Sequence, residues 1–134
     1  MRIDFVELCN FRNIELQKIS FENKNFIVLI GENGSGKTTI LEAITKAFVP
    51  VMRAVNGEAV KRCDLTNGDI RCGAAASTVT VGISLEDDKY VWTNKRRLSP
   101  QMTFDEMTVW KTPISNDLKS LKSKYIECVE KRRL

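Results

Sequence analysis

A glycine-rich loop is the part of this sequence whose residue types and spacing most clearly indicate chemistry. Residues 31–39 read GENGSGKTT and satisfy the pattern G-x-x-x-x-G-K-[ST] at Gly31, Gly36, Lys37 and Thr38. Glycines tolerate the dihedral angles that let successive backbone N–H groups face one concavity, which binds anions. The lysine can bridge two phosphates, and the threonine hydroxyl can coordinate Mg²⁺. The loop therefore predicts binding of ATP or a close relative.

The residues around the loop complete the predicted site. A helix that begins at about Lys37 would direct the positive end of its dipole at the phosphates. A glycine-rich turn without a ligand needs no lysine and threonine after its last glycine, and a dinucleotide loop would carry a third glycine three residues later. The predicted cofactors are ATP and Mg²⁺, with Thr38 as metal ligand. The predicted loop contacts are Asn33, Gly34, Ser35, Gly36, Lys37, Thr38 and Thr39.

A phosphate-binding loop needs a strand before it and a helix after it, and the sequence indicates both. Residues 26–30 read FIVLI, a continuous apolar run that predicts a strand buried on both faces. After Thr38, apolar residues recur at helical spacing until Pro50, which predicts a helix. The order of strand, loop and helix therefore supports the nucleotide-binding interpretation.

Shorter patterns outline the rest of the chain. Alternating apolar residues predict further strands at residues 1–9, 14–21, 78–85 and 90–94, of which the last two form an antiparallel hairpin. The stretch before this hairpin has no clear periodicity, whereas the end of the chain has apolar residues at helical spacing. The predicted organisation is one domain: strands, loop and first helix at 1–50, an irregular connection at 51–76, the hairpin at 77–97 and an amphipathic helix at 115–134.

The composition excludes several kinds of site. The chain has 134 residues and no histidine, which removes Ser-His and Cys-His nucleophiles and imidazole acid–base chemistry. Its four cysteines are too widely spaced for a thiolate zinc site. The longest apolar run is far below the ~20 residues of a membrane span, and the N-terminus lacks the organisation of a signal peptide. A cytoplasmic protein without membrane contact is expected.

The net charge of +4 is unevenly distributed along the chain. Residues 1–60 hold seven Lys/Arg and seven Asp/Glu, whereas residues 61–134 hold fourteen and ten. The densest basic clusters are residues 95–97 and 131–133. Such clusters can contact nucleic-acid phosphates, although a solvated surface is the favoured interpretation. DNA is therefore a possible partner.

Nucleotide hydrolysis in P-loop proteins needs a second acidic element, normally an apolar strand that ends in aspartate. Asp105-Glu106 is the right dipeptide, but the residues before it make a poor buried strand. The acidic residues 86–88 are best explained as the turn of the predicted hairpin. The sequence therefore predicts binding without an identifiable apparatus for hydrolysis.

Residues 8–13, LCNFRN, and residues 26–44, FIVLIGENGSGKTTILEAI, together resemble the N-terminal part of the RecF/SMC-like ABC-type ATPases. Within that group the sequence is similar to bacterial AAA ATPases, including those of anti-phage systems such as Septu and retrons. The resemblance implies an α/β P-loop NTPase fold, a partial ABC-type head lobe with an antiparallel β-hairpin layer. It also implies that Arg12 and Asn13 lie beside the nucleotide; the alternative is a turn with an exposed arginine.

Members of that family carry a signature motif, the second acidic element and a switch histidine near their C-terminus, and this sequence shows none of them. The family hydrolyses ATP at a dimer interface where one subunit's signature motif meets the other's phosphate loop. The resemblance therefore implies the ATP-binding segment of a DNA-associated ATPase. Its hydrolysis would require a C-terminal half and dimerisation, and the chain alone would bind ATP without turning it over.

Three other functions remain open at this point. The chain can be a self-contained nucleotide-binding module that is completed by a partner or by self-association. It can be a small P-loop enzyme such as a nucleotide kinase or GTPase, which would need its own acidic strand or base-selecting motif. The helix at 115–134 can also be the start of a coiled coil, as in the SMC branch, because so short a segment does not distinguish the two.

Overall fold

The fold centres on one antiparallel sheet with helices on one face, in a computed structural model that describes residues 1–56, 64–98 and 116–133. The strand order is β2-β1-β3-β4. The strands are β1 (Arg2–Phe11), β2 (Ile14–Ser20), β3 (Ala76–Leu85) and β4 (Asp88–Arg97). The helices are α1 (Lys37–Ala47), α2 (Val49–Asn56) and α3 (Asn116–Arg133), and a short 3-10 turn covers Asn67–Asp69.

The two faces of the sheet differ because side chains alternate along each strand. In the register, Val6 lies opposite Val81, which in turn lies opposite Trp92, and all three are buried beneath the helices. Helix α1 packs on β3 and also contacts β1 and β4. The other face, which we call the open face, carries half-buried and exposed residues such as Thr80 and Lys95.

The C-terminal end of α1 is fixed to β4 by buried side chains. Trp92 donates its indole N–H to the carbonyl of Ala47 at 2.6 Å, and Asn94 donates its amide to the carbonyl of Lys46 at 2.9 Å. These carbonyls belong to the last turn of α1, where the regular intrahelical hydrogen bonds end. The ring of Phe48 meets Trp92 edge to face at 5.4 Å. The sheet therefore caps α1.

The hairpin of β3 and β4 lies where the sequence predicts one, and its turn also contacts the last helix. Glu86 and Asp87 form the turn, with Glu86 at φ 55°. Lys124 of α3 forms ion pairs with Glu86 and Asp88, which attach the last helix to the hairpin. Glu86 and Asp87 thus form a surface turn, as predicted, whereas Asp88 already begins β4. Asp105-Glu106 lies outside the described residues.

The prediction of an irregular connection from residue 51 is wrong at its start, because α2 continues to Asn56. Pro50 marks the end of the predicted first helix but lies in the first turn of α2. Proline is tolerated there because the first N–H groups of a helix have no partner inside it. The proline therefore opens a second helix rather than ending helical structure.

The prediction of a strand buried on both faces at residues 26–30 is also wrong. No described residue pairs with this segment, which belongs to no strand of the sheet. Phe26, Val28 and Ile30 are 84%, 58% and 91% exposed. A continuous apolar run is typical of a strand that other elements cover on both faces. In the described part of the chain no element covers both faces of this segment.

Only alternate residues of this segment contact the rest of the protein. Ile27 and Leu29 line a groove of about 390 Å³ that they share with Ile40, Leu41 and Ile44 of α1. Leu29 is half-buried, whereas its neighbours Val28 and Ile30 are exposed. The segment therefore covers part of α1 with one set of side chains and leaves the other set uncovered.

The interior holds a charged cluster that joins distant parts of the chain. Asp69, which is 2% exposed, accepts hydrogen bonds from Nε of Arg12 at 3.0 Å and from Nζ of Lys46 at 2.5 Å. It also accepts from the backbone N–H and the hydroxyl of Thr66, each at 2.9 Å. A buried carboxylate is stable only when it is paired and hydrogen-bonded, and this one is both. We call Asp69, Arg12, Lys46 and Thr66 the Asp69 cluster.

Two opposing effects set the pKa of Asp69. Burial raises it, but the hydrogen bonds from Lys46, Thr66 and Arg12 together outweigh burial, so the pKa lies below its ordinary value. A carboxyl group with a lowered folded-state pKa stabilises the fold at pH values above its unfolded pKa. This contribution is lost as the pH falls through the folded-state pKa.

We expect Asp69→Asn to destabilise the protein by about 3 kcal/mol at neutral pH, because Lys46 would then lie in the interior without a counter-ion. The difference from wild type should shrink as the pH falls below the ordinary aspartate pKa of about 3.9, because the unfolded chain then binds a proton that the folded chain does not, and it should be lost once the folded-state carboxyl is protonated too. Urea unfolding at a series of pH values measures both effects. Asp87→Asn in the exposed turn is the matched control and should change little. If the difference in unfolding free energy between wild type and Asp69→Asn is the same in acid as at neutral pH, the Asp69 charge does not have this role.

The described helices include none that is both long and apolar enough to cross a membrane.

Candidate phosphate-binding site

The glycine-rich loop has the backbone conformation that its residues allow. Gly34 and Gly36 have φ angles of 84° and 93°, a region that side-chain-bearing residues rarely adopt. A Cβ on Gly31 would lie 2.6 Å from Oγ of Ser35, so the loop also closes tightly on its first glycine. The N–H of Ser35 donates to the carbonyl of Glu32 at 3.2 Å, which forms the turn. Gly31, Gly34 and Gly36 thus each have a steric reason to be glycine.

Lys37 ties the two ends of the loop together. Its ammonium donates to the carbonyls of Gly31 and Glu32 at 2.7 and 2.6 Å, and to Oγ of Ser35 at 3.3 Å. An ammonium has three N–H donors, and the longest of these three bonds goes to a hydroxyl rather than to a carbonyl. A phosphate oxygen could replace that hydroxyl while the other two bonds keep the lysine in place. The positive charge is therefore held at the mouth of the loop.

The start of α1 is open to a ligand. Its N-cap is Gly36, which has no side chain to accept from the first N–H groups, and its first turn contains no acidic residue. The first intrahelical bond that closes the turn is from the N–H of Ile40 to the carbonyl of Gly36 at 3.0 Å. The N–H groups before Ile40 and the helix dipole can therefore serve an anion.

The side chains of Thr38 and Thr39 lie in this same first turn. Thr38 is exposed and Thr39 is half-buried, and neither forms a side-chain hydrogen bond within the described ranges. Asn33 is exposed at the tip of the loop. The loop residues predicted from the sequence thus lie in the glycine-rich turn and the first turn of α1, where two hydroxyls and one ammonium are present.

Arg12 is brought to the same helix by the Asp69 cluster. It lies in the β1–β2 turn with φ 52°, and its backbone N–H donates to the carbonyl of Asp69 at 2.8 Å. Its guanidinium also forms an ion pair with Glu42 of α1. Residues four apart on a helix are neighbours on its surface, so Glu42 lies one turn beyond Thr38. Arg12 is therefore held beside the helix that starts at the loop.

Asn13, the other residue predicted near the nucleotide, has a different environment. It is exposed in the turn and forms no side-chain hydrogen bond within the described part of the chain. Unlike Arg12 it has no contact that would direct it towards α1. The structure therefore distinguishes two neighbouring residues that the sequence treats as a pair.

Sequence reasoning missed the residues that position Arg12. Asp69 and Lys46 are separated from it by tens of residues, and neither belongs to a motif of the loop. One local signal was available, since Thr66 and Asp69 have the S/T-x-x-D/E spacing of a capping box. The carboxylate indeed accepts from Thr66, but its bonds to Arg12 and Lys46 depend on the tertiary structure.

The described residues contain no group of three or more histidine, cysteine, aspartate or glutamate side chains that could hold a metal ion. This does not conflict with a Mg²⁺ ion that is bound mainly by phosphate oxygens and water, which is common for this ion. Thr38 could add one hydroxyl ligand to such an ion. The arrangement as a whole can hold a polyphosphate chain through backbone N–H groups, Lys37 and the two threonines.

Comparison with known proteins gives a consistent family. The family model described as "AAA domain" matches residues 6–131. The DNA replication and repair protein RecF of Bacillus mycoides (strain KBAB4) is 34% identical over 90 residues, which cover 66% of this chain and 24% of that protein. RecF of Bacillus thuringiensis (strain Al Hakam) is 40% identical over 72 residues, or 53% of this chain and 19% of that protein. The matched region thus spans a quarter or less of these relatives.

Solved structures agree on the fold. A structure described as "Structural biochemistry of ATP-driven dimerization and DNA stimulated activation of SMC ATPases" superposes with a TM-score of 0.50 at 22% identity and covers 72% of this chain and 64% of that one. At this identity the likeness concerns the fold alone, a mixed α/β arrangement with an antiparallel sheet. Because the family model covers nearly the whole sequence, the chain belongs to the AAA domain family.

Proposed function

We propose that this chain is the ATP-binding segment of a DNA-associated, RecF/SMC-like ATPase, and that it forms part of an ABC-type head lobe. The observation that carries the proposal is the position of Lys37, whose ammonium is held by two loop carbonyls at the mouth of a glycine loop and beside an uncapped helix. The start of a helix and a glycine-rich turn are both arrangements that bind anions through backbone N–H groups. Membership of the AAA domain family and the similarity to RecF support the same assignment.

In this proposal each part of the loop has one task. The backbone N–H groups of residues 33–36 surround the phosphates, and Lys37 exchanges its bond to Ser35 for one to the terminal phosphates. Thr39 donates to the α-phosphate, and Thr38 provides the protein ligand of Mg²⁺. When bound, the metal ion would neutralise charge on the phosphates.

We expect Lys37→Ala to weaken Mg-ATP binding by about a hundredfold, because a charge-assisted bond to the phosphates is lost. Isothermal titration of the isolated chain with Mg-ATP measures the effect. Lys119→Ala, which removes an exposed lysine of α3, is the matched control and should leave the affinity unchanged. Equal ATP affinity of wild type and Lys37→Ala would refute the assignment of the loop.

We further propose that hydrolysis needs a polypeptide segment that pairs with residues 26–30, together with dimerisation. The proposal is supported by the exposed side chains of Phe26, Val28 and Ile30 and by the backbone of this segment, which pairs with no strand in the described ranges. Burial of each such side chain is worth about 1.5 to 3 kcal/mol, so a strand laid against the segment would be strongly favoured. This segment leads directly into Gly31, and its pairing would therefore also fix the first end of the loop.

The alternative is a self-contained binding module in which a second copy of the chain covers this segment. Both proposals require another polypeptide segment to pack on residues 26–30. In the first it is a complementing C-terminal segment, and in the second it is a second copy of the chain. A homodimer would cover the segment in the purified chain, whereas a complementing C-terminal segment would leave the purified chain uncovered. A nucleotide kinase or GTPase is not favoured by any described contact.

We expect the amides of residues 26–30 to exchange with deuterium at nearly the rate of an unfolded peptide in the monomeric chain, because they have no hydrogen-bond partner among the described residues. The amides of β1 and β3 serve as internal controls and should be protected. Protection that appears only at concentrations where sedimentation detects a dimer would favour self-association. Protected amides in the monomer, or ATP turnover by it, would contradict the incomplete-domain proposal.

The open face of the sheet is the surface that we propose for DNA. Lys89, Lys95 and Arg97 lie on this face of β4, are exposed, and have no ion-pair partner within the described residues. Lys18 adds a fourth positive charge, at 4.0 Å from the single glutamate of the neighbouring strand, Glu7. A flat face with an excess of unpaired cations fits a phosphate backbone.

This surface differs from the clusters that the sequence suggests. Arg96 points to the other face and donates to Asn67 at 2.9 Å, so residues 95–97 are divided between two environments. In the second cluster Lys131 forms an ion pair with Glu127, and the side chains of the two arginines lie outside the described residues. An anti-phage role of the Septu or retron kind stays a prediction from the sequence.

We expect Lys95→Gln/Arg97→Gln to weaken binding to duplex DNA and to reduce the slope of log affinity against log salt by about 2, since each phosphate contact contributes about 0.9. Fluorescence anisotropy over a range of salt concentrations measures both quantities. Lys24→Gln/Lys119→Gln removes the same charge from exposed positions elsewhere and should retain the wild-type slope. A wild-type affinity that does not change with salt would argue against a DNA contact through this face.

A further inference from the structure

Arg12 is held from two sides by carboxylates in very different surroundings. Its Nε donates to Asp69, whose side chain is 3% exposed, and its Nη2 contacts Glu42, whose side chain is 43% exposed. Arginine has five N–H donors in a planar fork, so one edge can stay bound while another exchanges partners. The two carboxylates therefore need not act in the same way.

The contact with Asp69 is an anchor. Asp69 is neutralised by Lys46 as well as by Arg12, and Thr66 fills the rest of its acceptor capacity. Breaking a buried pair by moving one partner away leaves an uncompensated charge, which is costly. The backbone of Arg12 is attached to the same residue through its bond to the Asp69 carbonyl. Arg12 therefore keeps this edge of its guanidinium in place.

The contact with Glu42 is of the exchangeable kind. Ion pairs between half-exposed side chains contribute little, because water screens them and competes for them. No other described side chain forms an ion pair with Glu42. Its position one turn beyond Thr38 also places its negative charge close to the end of α1 where the phosphates of a nucleotide would bind.

We propose that Glu42 competes with the nucleotide for Arg12, so that a phosphate oxygen takes the place of the Glu42 carboxylate on the free edge of the guanidinium. Asp69 positions the arginine in both states, and Glu42 lowers the affinity for the nucleotide. This inference rests on the proposed function of the loop. The ligand is recognised here as a phosphate group, which accepts the same paired N–H donors as a carboxylate.

The test is a double-mutant cycle on Mg-ATP affinity in the isolated chain. Glu42→Gln should bind ATP about 2- to 5-fold more tightly, since the amide retains the shape of the side chain but holds Arg12 less strongly. Arg12→Ala should bind about tenfold more weakly. In the Arg12→Ala background Glu42→Gln should have no further effect, because the competition acts through the arginine.

Glu127→Gln is the matched control, since it removes a carboxylate from a surface ion pair on α3. Unchanged or weaker ATP binding by Glu42→Gln would overturn the inference. A gain of affinity that persists in the Arg12→Ala background would also overturn it, because Glu42 would then repel the phosphates directly. Wild-type chain that binds no ATP would instead refute the proposed function, a result that the titration of the wild type reveals before any variant is compared.

Discussion

The buried carboxylate of Asp69 is the point at which three separate parts of the chain acquire one relative position. It accepts hydrogen bonds from Arg12 of the β1–β2 turn, from Lys46 of helix α1 and from Thr66 of the segment that precedes Asp69 itself. Because a charge in the interior must keep its partners, these parts cannot shift independently. The direction of α1, and with it the direction of the N–H groups at its start, depends on this cluster.

The two ends of the phosphate-binding loop are supported unequally. Its helical end is fixed because α1 is attached to the rest of the protein at two points. Lys46 of α1 bonds Asp69 in the Asp69 cluster, and Trp92 and Asn94 donate to the last carbonyls of the helix. Its other end follows residues 26–30, whose outer side chains remain exposed. In the function proposed here, the helical end of the loop would bind phosphates, and a further segment would supply the geometry that hydrolysis requires.

Charge has three distinct uses in this small molecule. Within the core it joins elements, as in the Asp69 cluster. Beside α1 it forms a half-exposed pair between Arg12 and Glu42. On the open face Lys89, Lys95 and Arg97 have no ion-pair partner among the described residues. Exposure decides among these uses, because desolvation makes a buried pair permanent whereas water makes a surface pair weak. The same residue types therefore have different environments in neighbouring places, and the proposed exchange at Arg12 and the proposed attraction of DNA depend on that difference.

The sequence alone determined the local features of the site. The loop, the helix after it and the hairpin could be predicted because glycine dihedral angles, helical periodicity and strand alternation are encoded by residues close together in the chain. Tertiary structure alone decided that residues 26–30 stay uncovered, that Pro50 opens a helix, that Arg12 but not Asn13 is held beside α1, and that Arg96 turns away from Lys95. Each of these outcomes depends on which distant residues are present to pair with a side chain or a strand, and no local pattern contains that information.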